Sequence, residues 1–499
     1  MRGVSRAPIL NTPLQQQDSI NRLLGQELLE LRGGLSPRTY NLDTLDQFLY
    51  HLRPGFLDTP DVDPAESWKD DTIQSRRYHQ ASFCVTHGLM GVVRACHQAP
   101  HGIKEPTVRT LLANMDNIIA WWHRLILVPE EYDHDLKFDF HDPLTICNTI
   151  NRVCFFDPRI KQAVYSSHAV AELAVEAWGL PDGAKGPAFI LQGNGERCPI
   201  AVLLSELAYF KGPRKILLEL LCEPTPQSSK RLNQYLKGFE ARMKVINSLD
   251  PHKMRQESEP FAEGFRPFSR ETPMQAVMNF LIITLSSTGD LAEHPIFLKS
   301  LLTSGLLKSV CEALRSWMVS KANGEQHSQH EAVILTDMLF SLFEQRPRVG
   351  RRFLSRQAML EMIRGGLIDV VIEGFKVTSV VDQKKWETLS NVIRHTTAHS
   401  MYPDVAVAAV RELRRIRGDN YTDPGYLRSQ GDGAYWRMFC TELTFATNAA
   451  THNERVVAIC DNLKVRISWV FHSYECTHPL SVVPNTCRGG YIASSEYTL

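Results

Sequence analysis

The sequence predicts a mostly α-helical fold, arranged as an irregular armadillo-like helical solenoid with a poorly structured C-terminal tail. Apolar residues recur at helical spacing along most of the chain, strand-like alternation is scarce, and a short glycine-centred word is repeated. The chain has 499 residues, which exceeds the usual size of one globular core. A solenoid has no such limit, because each repeat packs only against its neighbours.

Helical periodicity is clearest between Pro106 and Pro129, where it predicts one helix of about six turns. Its apolar stripe comprises Val108, Leu111, Leu112, Met115, Ile118, Ile119, Trp122, Leu125 and Ile126. Further helices are predicted to begin at Ser19, Lys161, Pro199, Ser229, Thr272 and Tyr402. The stretch from Ala188 to Leu191 resembles a short strand, but no alternating series accompanies it to form a sheet.

A glycine followed by two apolar residues is repeated in Gly305-Leu306-Leu307 and Gly366-Leu367-Ile368, and Gly88-Leu89-Met90 provides a third copy. Glycine allows a tight joint between helices, and the apolar pair would begin a buried face, as in armadillo-like repeats. The 61-residue spacing of the first two copies exceeds the roughly 40–47 residues of regular repeats. The solenoid is therefore predicted to be irregular, and a non-repetitive helical domain is the alternative.

Loop-forming residues divide the chain into five predicted regions. The N-terminus is flexible, and a linker-like loop separates an N-terminal helical region from a C-terminal armadillo-like region. A C-terminal tail without an amphipathic helical pattern follows. The boundaries are 1–18, 19–249, 250–273, 274–464 and 465–499.

Composition predicts a cytoplasmic or nuclear protein that binds no membrane. Lys plus Arg and Asp plus Glu both number 55, which gives no overall attraction to nucleic acid or anionic lipid. The cysteines are scattered in helical surroundings, which favours buried free thiols and a reducing compartment. No apolar run approaches the roughly 20 residues of a membrane span. Two arginines precede Asp18 without an apolar h-region, so a mitochondrial presequence is the weaker alternative.

Histidine and glycine motifs do not predict a catalytic site. His395 and His399 are spaced as in a zincin helix, but Thr396 replaces the glutamate that would act as general base. Gly193 and Gly195 supply only part of a dinucleotide fingerprint, and no βαβ unit surrounds them. We therefore interpret the histidines as a core or surface pair and assign no catalytic, cofactor or metal residues.

Two charged features leave alternatives open. Residues 130–142 are rich in acids and histidines, which favours a hydrated loop, although the same side chains could bind a cation. Two arginine clusters resemble solvated helix faces, and nucleic-acid binding would require them to share one face. These clusters are Arg346, Arg348, Arg351 and Arg352, and then Arg411, Arg414, Arg415 and Arg417.

The segment Cys460-Asp461-Asn462-Leu463 resembles the lead-in to a MYND-type zinc finger in helical proteins of mushroom-forming fungi. The resemblance covers roughly residues 75 to 465. Other similar stretches are Trp121-Trp122-His123-Arg124, the segment from His141 to Thr149, and the segment from Arg152 to Pro158. The resemblance implies an armadillo-like region followed by a finger that binds two zinc ions and recognises proline-containing peptides.

The tail departs from the MYND pattern because it lacks most of the required ligands. Each tetrahedral zinc ion takes four nitrogen or sulfur ligands. After Cys460 the chain offers only Cys476, Cys487, His472 and His478, and it has no C-x-x-C pair. We interpret the tail as a truncated or misread remnant. A one-ion site and a tail of no functional consequence are the alternatives.

These observations predict a non-catalytic protein–protein interaction protein with an incomplete finger and an unidentified protein partner. No cofactor is expected in this chain, although zinc would be expected if a longer product carried the complete finger. An enzyme of unrecognised class, using Asp133, His134, Asp139 or His141, is one alternative. A nucleic-acid-binding helical protein is the other, and it is the weaker one because no aromatic residues are interleaved with the arginine clusters.

Overall fold

The mostly α-helical prediction is confirmed in the part of the chain that this computed structural model describes. Those residues are 35–56, 70–98, 102–127, 143–180, 198–248, 273–319, 356–377, 402–422 and 430–452, with single positions in 28–31 and 392–400. Most of them are helical, and none of these described residues belongs to a strand. The predicted strand at 188–191 lies outside them.

The helices of the first half are α1 Leu42–Tyr50, α2 Asp70–Phe83, α3 Leu89–Gln98, α4 Lys104–Ala113, α5 Met115–Leu127, α6 Pro143–Phe156, α7 Pro158–Tyr165, α8 His168–Gly179, α9 Pro199–Tyr209, α10 Lys211–Cys222 and α11 Pro226–Ser248. Those of the second half are α12 Pro273–Leu291, α13 Pro295–Thr303, α14 Leu306–Val319, α15 Arg356–Arg364, α16 Leu367–Val377, α17 Pro403–Arg417 and α18 Gln430–His452. A π-helical segment, Cys84–Gly88, joins α2 to α3, and a 3₁₀ turn, Gly418–Asn420, follows α17.

Up to α14, many helices pack against the third helix after them in the chain. One series runs through α3, α6, α9 and α12, and a second runs through α5, α8, α11 and α14. The shorter helices between them also meet, α4 with α7 and α10 with α13. The contacts α9–α12 and α11–α14 join helices on opposite sides of residues 249–272. One cluster of buried apolar side chains extends through both predicted helical regions.

Proline and cap residues explain many helix starts. Helices α7, α9, α13 and α17 have proline in their first turn, where its missing N–H costs no hydrogen bond. The Asp157 carboxylate accepts a 2.9 Å hydrogen bond from the backbone N–H of Arg159 and caps α7. Helix starts at Pro199 and just after Tyr402 agree with the sequence prediction.

The prediction of a single helix from Pro106 to Pro129 is wrong, because the helix is interrupted at Asn114. Its backbone N–H bonds to the carbonyls of Leu111 and Leu112, which closes α4. The Asn114 side-chain amide also donates to the carbonyl of Thr110 at 2.9 Å. Asparagine side chains commonly compete in this way for the backbone hydrogen bonds of a helix. The apolar stripe nevertheless continues into α5 in nearly the same phase. Likewise, the helix predicted to run from Lys161 to Gly179 is divided into α7 and α8.

Two of the three repeated glycine words are helix–glycine–helix joints. Gly305 lies between α13 and α14 with φ of 75°, and Gly366 lies between α15 and α16 with φ of 97°. Only glycine adopts such angles without strain. The third copy was predicted wrongly, because Gly88 belongs to the π-helical segment of a continuous helix. A Cβ at Gly88 would approach the Phe48 ring to 2.8 Å, so this glycine permits α1 to pack closely.

Helix α5 reaches this π-helical segment through Trp122, which is fully buried. Its indole N–H donates to the Val85 carbonyl at 2.9 Å. The Thr86 hydroxyl donates to the Ser82 carbonyl at 2.7 Å. Side chains therefore supply hydrogen bonds where the π-helical register interrupts the regular ladder.

Buried His79 makes the stability of this region sensitive to acid. Desolvation lowers the pKa of His79 to about 4, whereas an unfolded histidine has a pKa of about 6.5. Because the folded pKa is depressed, full stability is present above pH 6.5 and is lost as the pH falls towards 4. Between pH 7 and pH 5, we expect the free energy of unfolding to fall by about 2 kcal/mol less in the His79→Leu variant than in wild type.

Urea titrations at the two pH values measure this difference. His168→Gln is the control, because the His168 side chain is 68% exposed and its removal should leave the wild-type pH dependence intact. A His79→Leu protein that is as acid-sensitive as wild type would contradict the assignment.

Candidate functional site

Most of the side chains that the sequence suggested for chemistry lie outside the described residues. They are the acidic segment 130–142, with Asp133, His134, Asp139 and His141, the glycines 193 and 195, and the first arginine cluster, 346–352. The tail residues Cys476, His478 and Cys487 also lie outside them. The enzyme, nucleic-acid and one-ion zinc alternatives are therefore not tested by the described residues.

His399 belongs to the packed part of the second helical region. It is 3% exposed, and its ring lies 6.2 Å from the ring of Tyr402. The neighbouring Thr396 hydroxyl donates to the Val392 carbonyl. Its sequence partner His395 is outside the described residues. The position of His399 agrees with the interpretation of a core histidine.

All cysteines within the described residues are buried free thiols. Burial raises the pKa of Cys154 and of Cys440 to about 12, so both remain protonated and unreactive near neutral pH. Among the same residues, no three His, Cys, Asp or Glu side chains are grouped so that they could hold a metal ion. No helix in the described ranges combines the length and apolar composition that crossing a bilayer requires.

Polar side chains connect α5, α8 and α11 in a continuous chain. His123 of α5 lies 3.1 Å from Glu172 of α8, and Glu172 also bonds to Arg231 of α11. Glu176, one turn further along α8, accepts a 3.1 Å hydrogen bond from Gln234. These side chains bind one another across helices that are three positions apart in the chain. Their role in the described structure is therefore to connect α5, α8 and α11.

An exposed group of aromatic rings surrounds the Lys161 ammonium. We call Phe155, Tyr209 and Phe210 the aromatic edge; their exposed fractions are 60%, 66% and 39%. Lys161 Nζ lies 5.4 Å from the centroid of the Phe155 ring and 4.6 Å from that of Phe210. The Tyr209 and Phe210 rings meet edge to face at 5.1 Å. Exposed aromatic clusters of this kind are common at protein-binding surfaces.

The aromatic edge follows from equivalent positions at two helix joints that are three helices apart in the chain. Phe155 lies at the α6–α7 joint, and Tyr209 and Phe210 lie at the α9–α10 joint. The helix that follows each joint, α7 or α10, has a basic fourth residue. This residue pairs with an acidic residue near the end of a later helix, α9 or α12. Lys161 lies 2.5 Å from Glu206, and Arg214 lies 3.5 Å from Asp290. These links hold adjacent joints side by side.

A second candidate surface lies between α15 and α17, at the other end of the described chain. This shallow cavity of about 210 Å³, which we call the arginine groove, is lined by Ile363, Arg364, Asp404, Val407, Ala408, Arg411 and Glu412. The α17 members recur every three or four residues, which places them on one helix face. Val407 and Ala408, which are half-buried, supply its accessible apolar surface above the buried Ile363. It is smaller than the roughly 300–1,000 Å³ typical of small-molecule sites.

The carboxylates of the arginine groove are already paired with arginines. Arg356 Nε lies 2.9 Å from the Asp404 carboxylate, and Arg415 Nε lies 2.7 Å from Glu412. The guanidinium groups of Arg364 and Arg411 form no hydrogen bond or ion pair with another described residue. The cations that remain available at this surface therefore outnumber the available anions.

Comparisons with known protein families, with curated proteins and with solved structures give no match to the chain.

The sequence predicted Arg411, one residue of the arginine groove, only as part of a solvated helix face. Arg411, Arg414 and Arg415 are exposed while Val405 and Leu413 are buried, as the predicted solvated face requires. The contribution of Arg364 from another helix was missed, because it depends on the packing of α15 against α17. The aromatic edge was also missed, although Phe155-Phe156-Asp157-Pro158 and Tyr209-Phe210-Lys211-Gly212-Pro213 share a visible pattern of paired aromatics shortly before a helix-starting proline.

Proposed function

We propose that the chain is an irregular armadillo-like solenoid that acts as a non-catalytic protein–protein interaction protein. The solenoid proposal is supported by packing between helices three positions apart. The glycine joints at Gly305 and Gly366 and the equivalent basic–acidic links at Lys161 and Arg214 add to it. A stack of this kind presents an extended preformed surface to a partner.

The observation that carries the binding proposal is the aromatic edge. Phe155 and Tyr209 expose most of their rings on rigid helix joints, so a partner could bury them at little cost in conformational entropy. Such anchors supply much of the binding energy in protein interfaces. The resemblance to helical MYND proteins adds the proposal that a longer product would be a zinc-dependent adaptor, in the cytoplasm or the nucleus. Because the tail lacks a full ligand set, no zinc-dependent step is proposed for this chain.

A paired-variant capture experiment tests the aromatic edge. Phe155→Ala and Tyr209→Ala together should lower recovery of the bound partner at least tenfold, the loss expected when two anchors of about 1 kcal/mol or more each are removed. The protein is expressed with an affinity tag in its source cells, crosslinked, and its bound proteins are quantified by mass spectrometry.

Phe445→Ala is the matched control, because Phe445 is 69% exposed on α18 and its loss should leave recovery unchanged. Thermal unfolding of each variant shows whether its fold is retained. The binding proposal fails if every captured protein is recovered equally with wild type, the double variant and the control.

A further inference from the structure

We infer that the arginine groove binds an acidic peptide segment of a partner protein, in which an apolar side chain is flanked by aspartate or glutamate. This surface is separate from the aromatic edge and is assigned from its own contacts. Arg364 and Arg411 would bind the flanking carboxylates, and Val407 and Ala408 would contact the apolar side chain.

Charge complementarity identifies the partner's chemistry. Helices α15 and α17 together contain six arginines but only three carboxylates, whereas the whole chain is neutral. Two of these carboxylates, Asp404 and Glu412, are held by Arg356 and Arg415. Guanidinium groups bind carboxylates through paired, charge-assisted hydrogen bonds. Arg364 and Arg411, whose guanidinium groups have no partner among the described residues, therefore favour an anionic ligand.

The size and position of the groove favour a peptide. A cavity of about 210 Å³ is too small to enclose a typical cofactor, but it can accept one apolar side chain. It opens beside two helices, so a chain can pass along them while one side chain enters. Arg415 is also tied to the buried Asp369, which accepts from Arg315 of α14 as well. This network connects three helices at the groove before any ligand binds.

The apolar surface argues for a peptide over a nucleic acid. Nucleic-acid grooves combine many cations with aromatic rings on which bases stack. Among the described residues, no aromatic side chain lines the arginine groove. Arg414, nearby on α17, lies 5.8 Å from the ring of buried Tyr421. Nucleic-acid binding is therefore an outcome that the experiment must distinguish.

Fluorescence anisotropy with the full chain tests this inference. The probe is a fluorescein-labelled peptide in which two leucines are flanked on each side by glutamate and aspartate. The comparison ligands are the same peptide with glutamine and asparagine, and a labelled single-stranded oligothymidylate. The double variant Arg364→Gln/Arg411→Gln should bind the acidic peptide at least tenfold more weakly than wild type. Ala408→Leu, which fills the groove without changing its charge, should weaken binding several-fold.

The control removes the same charge elsewhere. Lys215→Gln/Lys244→Gln changes two side chains that are 79% and 67% exposed, and it should bind within about twofold of wild type because exposed pairs contribute little. Variants of the aromatic edge should also bind the peptide normally, which separates this inference from the proposed function. The inference is overturned if wild type does not bind the acidic peptide at about 1 mM, if the neutral peptide binds equally, if the control loses as much affinity, or if the oligothymidylate binds more tightly.

Discussion

The Trp178→Ala variant should lose about 4 kcal/mol of unfolding free energy, as is typical when a large buried aromatic side chain is truncated. Trp178 is 1% exposed and lies where α8, α11 and α12 meet. Its indole N–H donates to the Tyr235 carbonyl at 2.9 Å, and the Phe280 ring stacks at 6.2 Å. The Arg242 guanidinium lies 3.8 Å from the centroid of its ring.

Loss of Trp178 also removes the aromatic partner of a buried cation. Arg242 is fully buried, and its Nη1 donates to the carbonyls of Trp178 and Gly238. Burial lowers the pKa of Arg242 to about 10, which still leaves it charged at neutral pH. Without the indole, this cation would lose its cation–π contact and face a cavity. Trp178→Phe keeps an aromatic ring and should cost only about 1–2 kcal/mol, mainly from the lost hydrogen bond and volume.

Urea unfolding followed by circular dichroism and by tryptophan fluorescence measures both variants. Because Phe280 follows residues 249–272, the experiment also tests the predicted division into 19–249 and 274–464. If the packed helices form one cooperative unit, Trp178→Ala shifts a single transition that both probes report. Two transitions, with only one shifted, would instead support separately folding regions. If Trp178→Ala lost less than about 1 kcal/mol of unfolding free energy, the Trp178 side chain would not stabilise the contact of α8 with α11 and α12 as we expect.

The Gly365→Ala variant should also be strongly destabilised, by about 3 kcal/mol, because the space beside Gly365 is occupied by backbone. An added Cβ would lie 2.5 Å from the Lys308 carbonyl oxygen and 2.9 Å from Cys311 Cβ. Both neighbours belong to α14, so the helix itself would have to move away from the α15–α16 joint. A movable side-chain end could avoid such a clash more easily than a helix backbone can.

Two other glycines provide controls for Gly365. Gly212 has open space around it in α10, so Gly212→Ala should be neutral or stabilising by less than about 1 kcal/mol. Gly305 also has open space but a φ of 75°, so Gly305→Ala should cost about 1 kcal/mol through backbone strain alone. Thermal and urea unfolding should show that Gly212→Ala is the most stable of the three variants, followed by Gly305→Ala and then Gly365→Ala. Equal stabilities for Gly365→Ala and Gly212→Ala would show that α14 does not approach the joint so closely.

The helical class and several local features were predictable because their causes lie within short stretches of sequence. Pro199 begins α9, Tyr402 precedes α17, and Gly305 and Gly366 form joints. Prediction failed at two positions where the local sequence pattern looked familiar but tertiary packing or a side-chain hydrogen bond gave a different structure. Gly88 accommodates the Phe48 ring from α1, and Asn114 ends α4 within an apolar stripe that looks continuous.

The candidate sites were less predictable than the helices. The arginines of α17 were identified as an exposed face from their spacing, but only packing places Arg364 beside them and pairs Asp404 with Arg356. The aromatic edge likewise depends on the approach of two joints that are more than 50 residues apart in sequence. No local pattern specifies which exposed ring or cation remains without a partner.

The sequence by itself therefore determined the helical class, the apolar faces and the two glycine joints, because propensity, periodicity and backbone conformation act over a few residues. The tertiary structure alone decided which helices adjoin, which charges neutralise one another, and which aromatic and cationic side chains remain accessible. These properties depend on contacts between distant segments, whose distances and burial set their energies.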